Sequence, residues 1–198
     1  MNLTAPMIVL DTETGGLDPA VQSILSLAAS PFGTVGGHFH VFIKEPEIVA
    51  NQSALNINKI DLDWLRAHGV EPAPAVLALE TYLTGLFGPI NPKNRIVLIG
   101  HNVGFDVGFL KRLYRMAGQE KRYDAIYSYR TLDTAAIARF LILAGVLPLT
   151  EASGAALGKF FKCEPTTEHD ALADAISTWH TLRHLIRLVT PWWKRLLG

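Results

Sequence analysis

The chain is nearly devoid of cysteine. Cys163 stands alone among 198 residues, which excludes an internal disulfide and a thiolate zinc site. It reads as a small core or loop residue, and its isolation suits a cytoplasmic protein. Long hydrophobic runs are missing as well: the apolar stretch Phe140–Leu149 follows Arg139 and falls short of the roughly 18 residues that span a bilayer. The beginning of the chain has no basic segment followed by an apolar stretch, so no secretory signal is expected there. Neither repeats nor low-complexity segments occur, and no linker divides the sequence. A hydrophobic content of 49% argues against disorder. The expectation is one compact α/β domain over residues 1–198, with its core at about 7–189 and a short aromatic, basic tail at 190–198.

An excess of charge is also absent, since 18 Lys and Arg balance 18 Asp and Glu. The average hides an asymmetry. Residues 1–99 carry −4 and residues 100–198 carry +4. Much of the positive excess lies in Lys111, Arg112, Arg115, Lys121 and Arg122. Such a run either solvates one helix face or offers a surface suited to phosphates.

What the chain does have is a set of spaced acids. Asp11 and Glu13 follow the apolar run Met7–Leu10, which reads as a buried strand. Residues two apart on a strand share a face, so these carboxylates project side by side. Held that close, they repel unless a cation sits between them or one takes up a proton. A hard divalent ion with oxygen ligands resolves the conflict. Alone, the pair reads more readily as a solvated strand end, since such pairs are common.

Strands are expected at 23–30, 38–44, 95–100 and 127–131, the first two forming a hairpin. Helices are expected at 59–67, 73–87, 104–117, 133–143, 151–161 and 168–189, the last stopping before Pro191. Three strands followed by alternating helix and strand indicate a mixed sheet with helices on both faces.

Two further acidic motifs fall at element ends. In "GHNVGFDVGFL", Asp106 lies in a first helical turn, where the helix dipole and capping offer a rival explanation, and His101 and Asn102 fill the turn before it. In "EHDALADA", His169 and Asp174 are five residues apart and do not share a face of a regular helix. His169 would then reach a common site from the helix lip, with Thr166 or Thr167 as the cap. A lone histidine there is otherwise a surface residue.

Together and in this order, "DTETGGL", "GHNVGFDVGFL" and "HDALADA" resemble the motifs of the DEDDh 3′→5′ exonucleases, which include proofreading subunits and ribonuclease T-like enzymes. The resemblance spans about residues 7–185. It implies an α/β, ribonuclease H-like five-stranded mixed sheet with the Asp11 strand at its centre and helices on both faces. It further implies that Asp11, Glu13, Asp106 and Asp174 hold two Mg²⁺ or Mn²⁺ ions, and that His169 is the general base. Two divalent ions about 4 Å apart stabilise the attacking and leaving oxygens of phosphodiester hydrolysis. An imidazole accepts a proton near neutral pH. Leu17 matches the apolar wedge against a terminal base, and Thr14 a backbone contact to the terminal nucleotide. His101, Asn102 and Phe105 join them as expected substrate-binding residues. Asp133 of "RTLDTAAIAR" matches a structural position.

Gly15 departs from the family, which often has a second threonine there. "YLTGLF" has the flavour of a sliding-clamp segment but falls within an expected helix. The tail with Trp192 and Trp193 docks on a partner, stacks on a nucleic-acid strand or folds back on the core. The activity implied is release of nucleoside 5′-monophosphates from single-stranded 3′ ends, with DNA ahead of RNA and a DNA polymerase or other replication or repair protein as partner. An RNA-trimming or short-oligonucleotide exoribonuclease is the alternative within enzymes. A non-catalytic module binding nucleic acid or a polymerase is the alternative outside them, and no membrane partner is expected.

Overall fold

The computed structural model describes residues 5–167 and 169–190. Five strands form one sheet: β1 (Met7–Thr14), β2 (Ile24–Pro31), β3 (Phe39–Phe42), β4 (Ile96–Gly100) and β5 (Tyr127–Asp133). Their order across the sheet is β3-β2-β1-β4-β5, so β1 is central. β2 pairs antiparallel with β1 and β3, whereas β4 runs parallel to β1 and β5. The expected five-stranded mixed sheet is therefore present.

Eight helices accompany it: α1 (Gln52–Asn58), α2 (Leu62–His68), α3 (Pro72–Phe87), α4 (Gly104–Met116), α5 (Glu120–Ile126), α6 (Thr134–Leu143), α7 (Gly154–Phe161) and α8 (Ala171–Val189). Strand alternation decides which helix meets which face. Ile8 and Leu10 of β1 point to one side and pack with Leu79 and Leu83 of α3 and with Phe109 and Leu113 of α4. Val9 points to the other side, against Ala171, Ala175 and Leu182 of α8. Each such fully buried aliphatic side chain contributes about 1.5–3 kcal/mol through removal from water. Asp11 and Glu13 continue the Val9 row beyond the start of α8. The alternation that buries the core thus aims both acids at one end of that helix. None of the helices among the described residues is long and apolar enough to cross a membrane.

Several boundaries differ from the sequence expectation. The helix expected at 59–67 is α2, which starts three residues later, and α1 before it was not expected. Lys59 ends α1 in a left-handed conformation, and the Asp61 carboxylate caps α2 by accepting from the amides of Asp63 and Trp64. The helix α5 was not expected. β1 runs on to Thr14, so Glu13 lies within the strand and not beyond its end. α8 begins at Ala171 rather than 168, because Asp170 caps it through the Ala173 amide, a role expected of Thr166 or Thr167. "YLTGLF" lies inside α3, with Leu83 fully buried, as its apolar spacing implied. Trp192 and Trp193 of the tail lie outside the described residues.

Candidate active site

The carboxyl ends of β1 and β4 and the first turn of α8 converge. Asp11 lies opposite Ala28 and Glu13 opposite Ser26 in the β1–β2 register, and these small neighbours leave room above the sheet. α8 brings Asp174 in its first turn. Ligand atoms of Glu13, His169 and Asp174 all lie within 4.8 Å of one another, an oxygen-and-imidazole set able to hold a divalent ion.

Asp106 comes from α4 and is 4% exposed. Its carboxylate does not cap the helix. The cap residue is Val103, without a side-chain bond, while Asp106 accepts a hydrogen bond from the Thr12 hydroxyl at 2.8 Å. That bond crosses from helix to central strand and brings the second motif to the first.

Electrostatics set this cluster apart. Burial pushes the Asp11 carboxyl well above its usual range, and the charges of Asp106, Asp174 and Glu13 push it further. Glu13 is raised to about 8, first by burial and then by Asp174, Asp170 and Asp106. Asp106 is raised to about 7 by burial, against the opposing pull of the Thr12 hydrogen bond. Without a cation, protons would be retained in this cluster toward neutral pH; a hard divalent ion would supply the missing positive charge. The donor set therefore fits a metal.

His169 departs from the sequence picture in one respect. It stands two residues before α8, outside the helix, and its φ is +58°. A side-chain-bearing residue in this left-handed region costs about 1–2 kcal/mol. The imidazole is exposed and lines two cavities. One, of about 410 Å³, includes Glu13, Phe42, Asn58, Ile60 and Trp64; the other, of about 350 Å³, includes Asp11, His101, Gly154 and Asp174.

The expected substrate residues divide. Leu17 is 83% exposed at the tip of the β1–β2 turn, free to touch another molecule. Thr14 is buried, its hydroxyl donating to the Gly16 carbonyl at 2.7 Å. The Thr14 carbonyl accepts from the Asn58 amide at 3.0 Å. Phe105 is half-buried against Phe109, with ring centroids 4.9 Å apart. Asn102 adopts φ +59°, donates its amide to Asp133 at 3.1 Å and accepts from Arg139 at 3.2 Å. The Thr134 hydroxyl donates to the Gly100 carbonyl at 3.1 Å, and the same hydroxyl lies 3.1 Å from His101 Nδ1. Burial lowers the His101 pKa, against the opposing pull of Asp133 and of a hydrogen bond to the Ala152 backbone.

Asn58, Ile60, Trp64, Thr134 and Arg139 were not anticipated from sequence. Only Asp133 gave a signal, and it is indeed structural: its carboxylate caps α6 and holds the Asn102 turn. The small size of Gly15 also has a reason. A β-carbon there would come within 2.2 Å of the Val49 carbonyl oxygen, so threonine cannot replace it without moving that segment.

The basic run does not form one face. Arg112 is buried in a bidentate pair with Glu45 at 2.6 and 2.7 Å, and Arg122 pairs with Glu80. Arg115 donates to the Pro19 carbonyl at 3.3 Å. Lys111 sits 5.2 Å above the Tyr123 ring.

Comparison with known proteins agrees with this arrangement. The family model described as Exonuclease, of the RNase T type, matches residues 8–181. PolC-type DNA polymerase III of Latilactobacillus sakei is 30% identical over 184 residues, covering 92% of this chain but 11% of the polymerase. Its counterpart in Oceanobacillus iheyensis is 30% identical, with 91% of this chain and 11% of the polymerase covered. E. coli exonuclease I in complex with a dT13 oligonucleotide superposes with a TM-score of 0.71 at 18% identity, over 98% of this chain and 43% of that one. A zinc-bound exonuclease I–ssDNA complex gives a TM-score of 0.73 at 18% identity, over 98% and 42%. The chain thus spans about a tenth of these polymerases and under half of exonuclease I. With the family model matched over most of its length and its three acidic motifs gathered at one end of a ribonuclease H-like sheet, the chain belongs to the DEDDh 3′→5′ exonuclease family.

Proposed function

We propose that this chain hydrolyses the last phosphodiester at single-stranded 3′ ends, on DNA in preference to RNA, and releases nucleoside 5′-monophosphates. The observation that carries the reading is the close approach of Glu13, His169 and Asp174, with donor atoms within 4.8 Å of one another, beside the buried Asp11 and Asp106. Glu13, Asp174 and Asp11 would hold one divalent ion, and Asp11 with Asp106 a second, Mg²⁺ or Mn²⁺ by the hardness of their oxygens. Such a pair supplies Lewis acidity to the oxygens that gain charge during displacement.

The chain's own groups do the rest. His169, exposed between two cavities, takes the proton of the attacking water. Its left-handed backbone swings the imidazole off the helix and toward Glu13 and Asp174. Leu17 wedges against the terminal base, and the backbone at Thr14 receives the terminal nucleotide. His101 lines the cavity shared with Asp11, where it would contact the terminal nucleotide.

Preference for DNA is supported by exonuclease I, solved with DNA oligonucleotides, and by the DNA polymerases that share this stretch. The same polymerases support action beside a replicative polymerase. Matched 3′-labelled DNA and RNA oligonucleotides, incubated with Mg²⁺, Mn²⁺ or EDTA, test the reading. Stepwise loss from the 3′ end of DNA, silenced by EDTA and by Asp11→Ala, is expected. Wild-type rates in the Asp11→Ala protein would refute it.

A further inference from the structure

The far edge of the sheet carries a second feature that the acidic site does not use. β5 is the edge strand, and Tyr129, Arg130 and Thr131 on it are exposed. Two adjoining cavities of about 250 and 210 Å³ flank it, and both are lined by Arg95, Ser128 and Tyr129. Lys111 adds a cation to the first cavity; Lys93 and Arg130 add two to the second. Asp124 is the one carboxylate lining either cavity among the described residues.

This patch differs from the other cations of the chain. Arg112 and Arg122 are consumed by Glu45 and Glu80. Arg130 instead lies 5.2 Å from the ring centroid of Tyr129, itself 81% exposed, and the buried Nε of Arg95 has no hydrogen-bond partner. Uncompensated guanidinium groups around an exposed aromatic ring are the elements of a surface that tracks a phosphate backbone and stacks a base. In a neutral chain such a concentration is not explained by overall charge.

Position ties the patch to the site. From Tyr129, β5 leads on to its last residue Asp133, whose carboxylate holds the Asn102 turn next to His101. Four residues of strand cover about 13 Å, the length of about four stacked nucleotides at ~3.4 Å each. We infer that the β5 edge, through Arg95, Tyr129 and Arg130, binds the phosphodiester backbone of the same single strand some four nucleotides upstream of its 3′ end. This deepens the strand-end reading and rests on it.

The test compares a thymidine dinucleotide, too short to reach the edge, with oligothymidylates of about 4, 8 and 12 nucleotides. Wild-type KM should fall about tenfold between the 4-mer and the 8-mer, then level off. In Arg95→Gln/Arg130→Gln that fall should vanish, and the salt dependence of binding should flatten by about 1.4 log units for two lost contacts. Turnover of the dinucleotide should stay at the wild-type value, which also reports a folded protein. If the double variant loses dinucleotide turnover, Arg130→Gln alone, at an exposed side chain, carries the comparison. A wild-type KM independent of length, or a variant that keeps the wild-type length dependence, overturns the inference. Fluorescence anisotropy with the 12-mer in EDTA reads the edge without catalysis, so failure of hydrolysis and failure of the edge remain distinguishable.

Discussion

Two buried carboxylates, one held at the start of β2 and the other against β1, show what a fold can do with the same chemical group. Glu45 and Asp106 are each 4% exposed. Glu45 is saturated: it accepts from Arg112 Nε and Nη2 at 2.7 and 2.6 Å, from the Ser23 hydroxyl at 2.7 Å and from the Ile24 amide at 3.3 Å. Asp106 has the Thr12 hydroxyl at 2.8 Å and like charges around it. The first carboxylate has its countercharge built in. The second belongs to a cluster that becomes comfortable only when protons or cations arrive. The Arg112 guanidinium also reaches the Pro19 carbonyl at 3.2 Å, so the saturated pair braces the turn that displays Leu17. One charge group stabilises the scaffold, and the other stores an unmet demand on which the proposed metal binding would draw.

Removing a member from each region should break them in opposite ways. The largest effect is expected for Asp11→Ala. Hydrolysis should drop below detection in a strand-end assay, because several kcal/mol of charge stabilisation is lost with the ions. Its melting temperature without metal should hold or rise, since one of the crowded acids is gone. His169→Ala should lower the rate by roughly 10² to 10⁴, the range for a general base, while a calorimetric titration still finds divalent ions binding. Full activity in that variant would remove His169 from the mechanism.

On the saturated side the loss is stability. Arg112→Met leaves Glu45 as a buried unpaired charge and should cost about 3–5 kcal/mol in denaturant unfolding. Adding Glu45→Gln should recover much of that loss. A free surface arginine would instead show almost none.

The smallest effect sharpens the contrast through pH. The folded pKa values of Glu13 and Asp106 are raised, to about 8 and about 7. Groups shifted upward favour folding below their unfolded values near 4 and lose that contribution as pH rises through 7 and 8. Melting of the metal-free protein should therefore fall by a few degrees between about pH 5 and pH 8, and added Mg²⁺ should restore more at pH 8 than at pH 5. A metal-free melting curve independent of pH would show that the acids are not crowded in solution.

Much of the acidic site was legible before any coordinates. Asp11 and Glu13 share a face because a strand repeats every two residues, and the apolar run before them identifies the strand. The basic run was not legible in the same way. Lys111, Arg112 and Arg115 look alike on a helix, yet Arg112 is bound to a glutamate 67 positions away. The helix expected from residue 59 starts only at Leu62, because Lys59 ends α1 at a left-handed φ of +57° without a glycine to announce it.

By itself the sequence determined the five strands and six of the eight helices, the face on which the first two acids stand and the family to which three motifs belong. Each depends on backbone periodicity, turn chemistry or motif spacing, all local along the chain. Only the tertiary structure decided that His169 leaves the helix to meet Glu13 and Asp174, and that Asp106 answers to Thr12 rather than to its own helix end. It also decided that Arg112 serves the scaffold while Arg95 and Arg130 line an open edge. Those outcomes depend on which distant group fills the space beside a charge, and burial, countercharge and strain exist only once the chain has closed on itself.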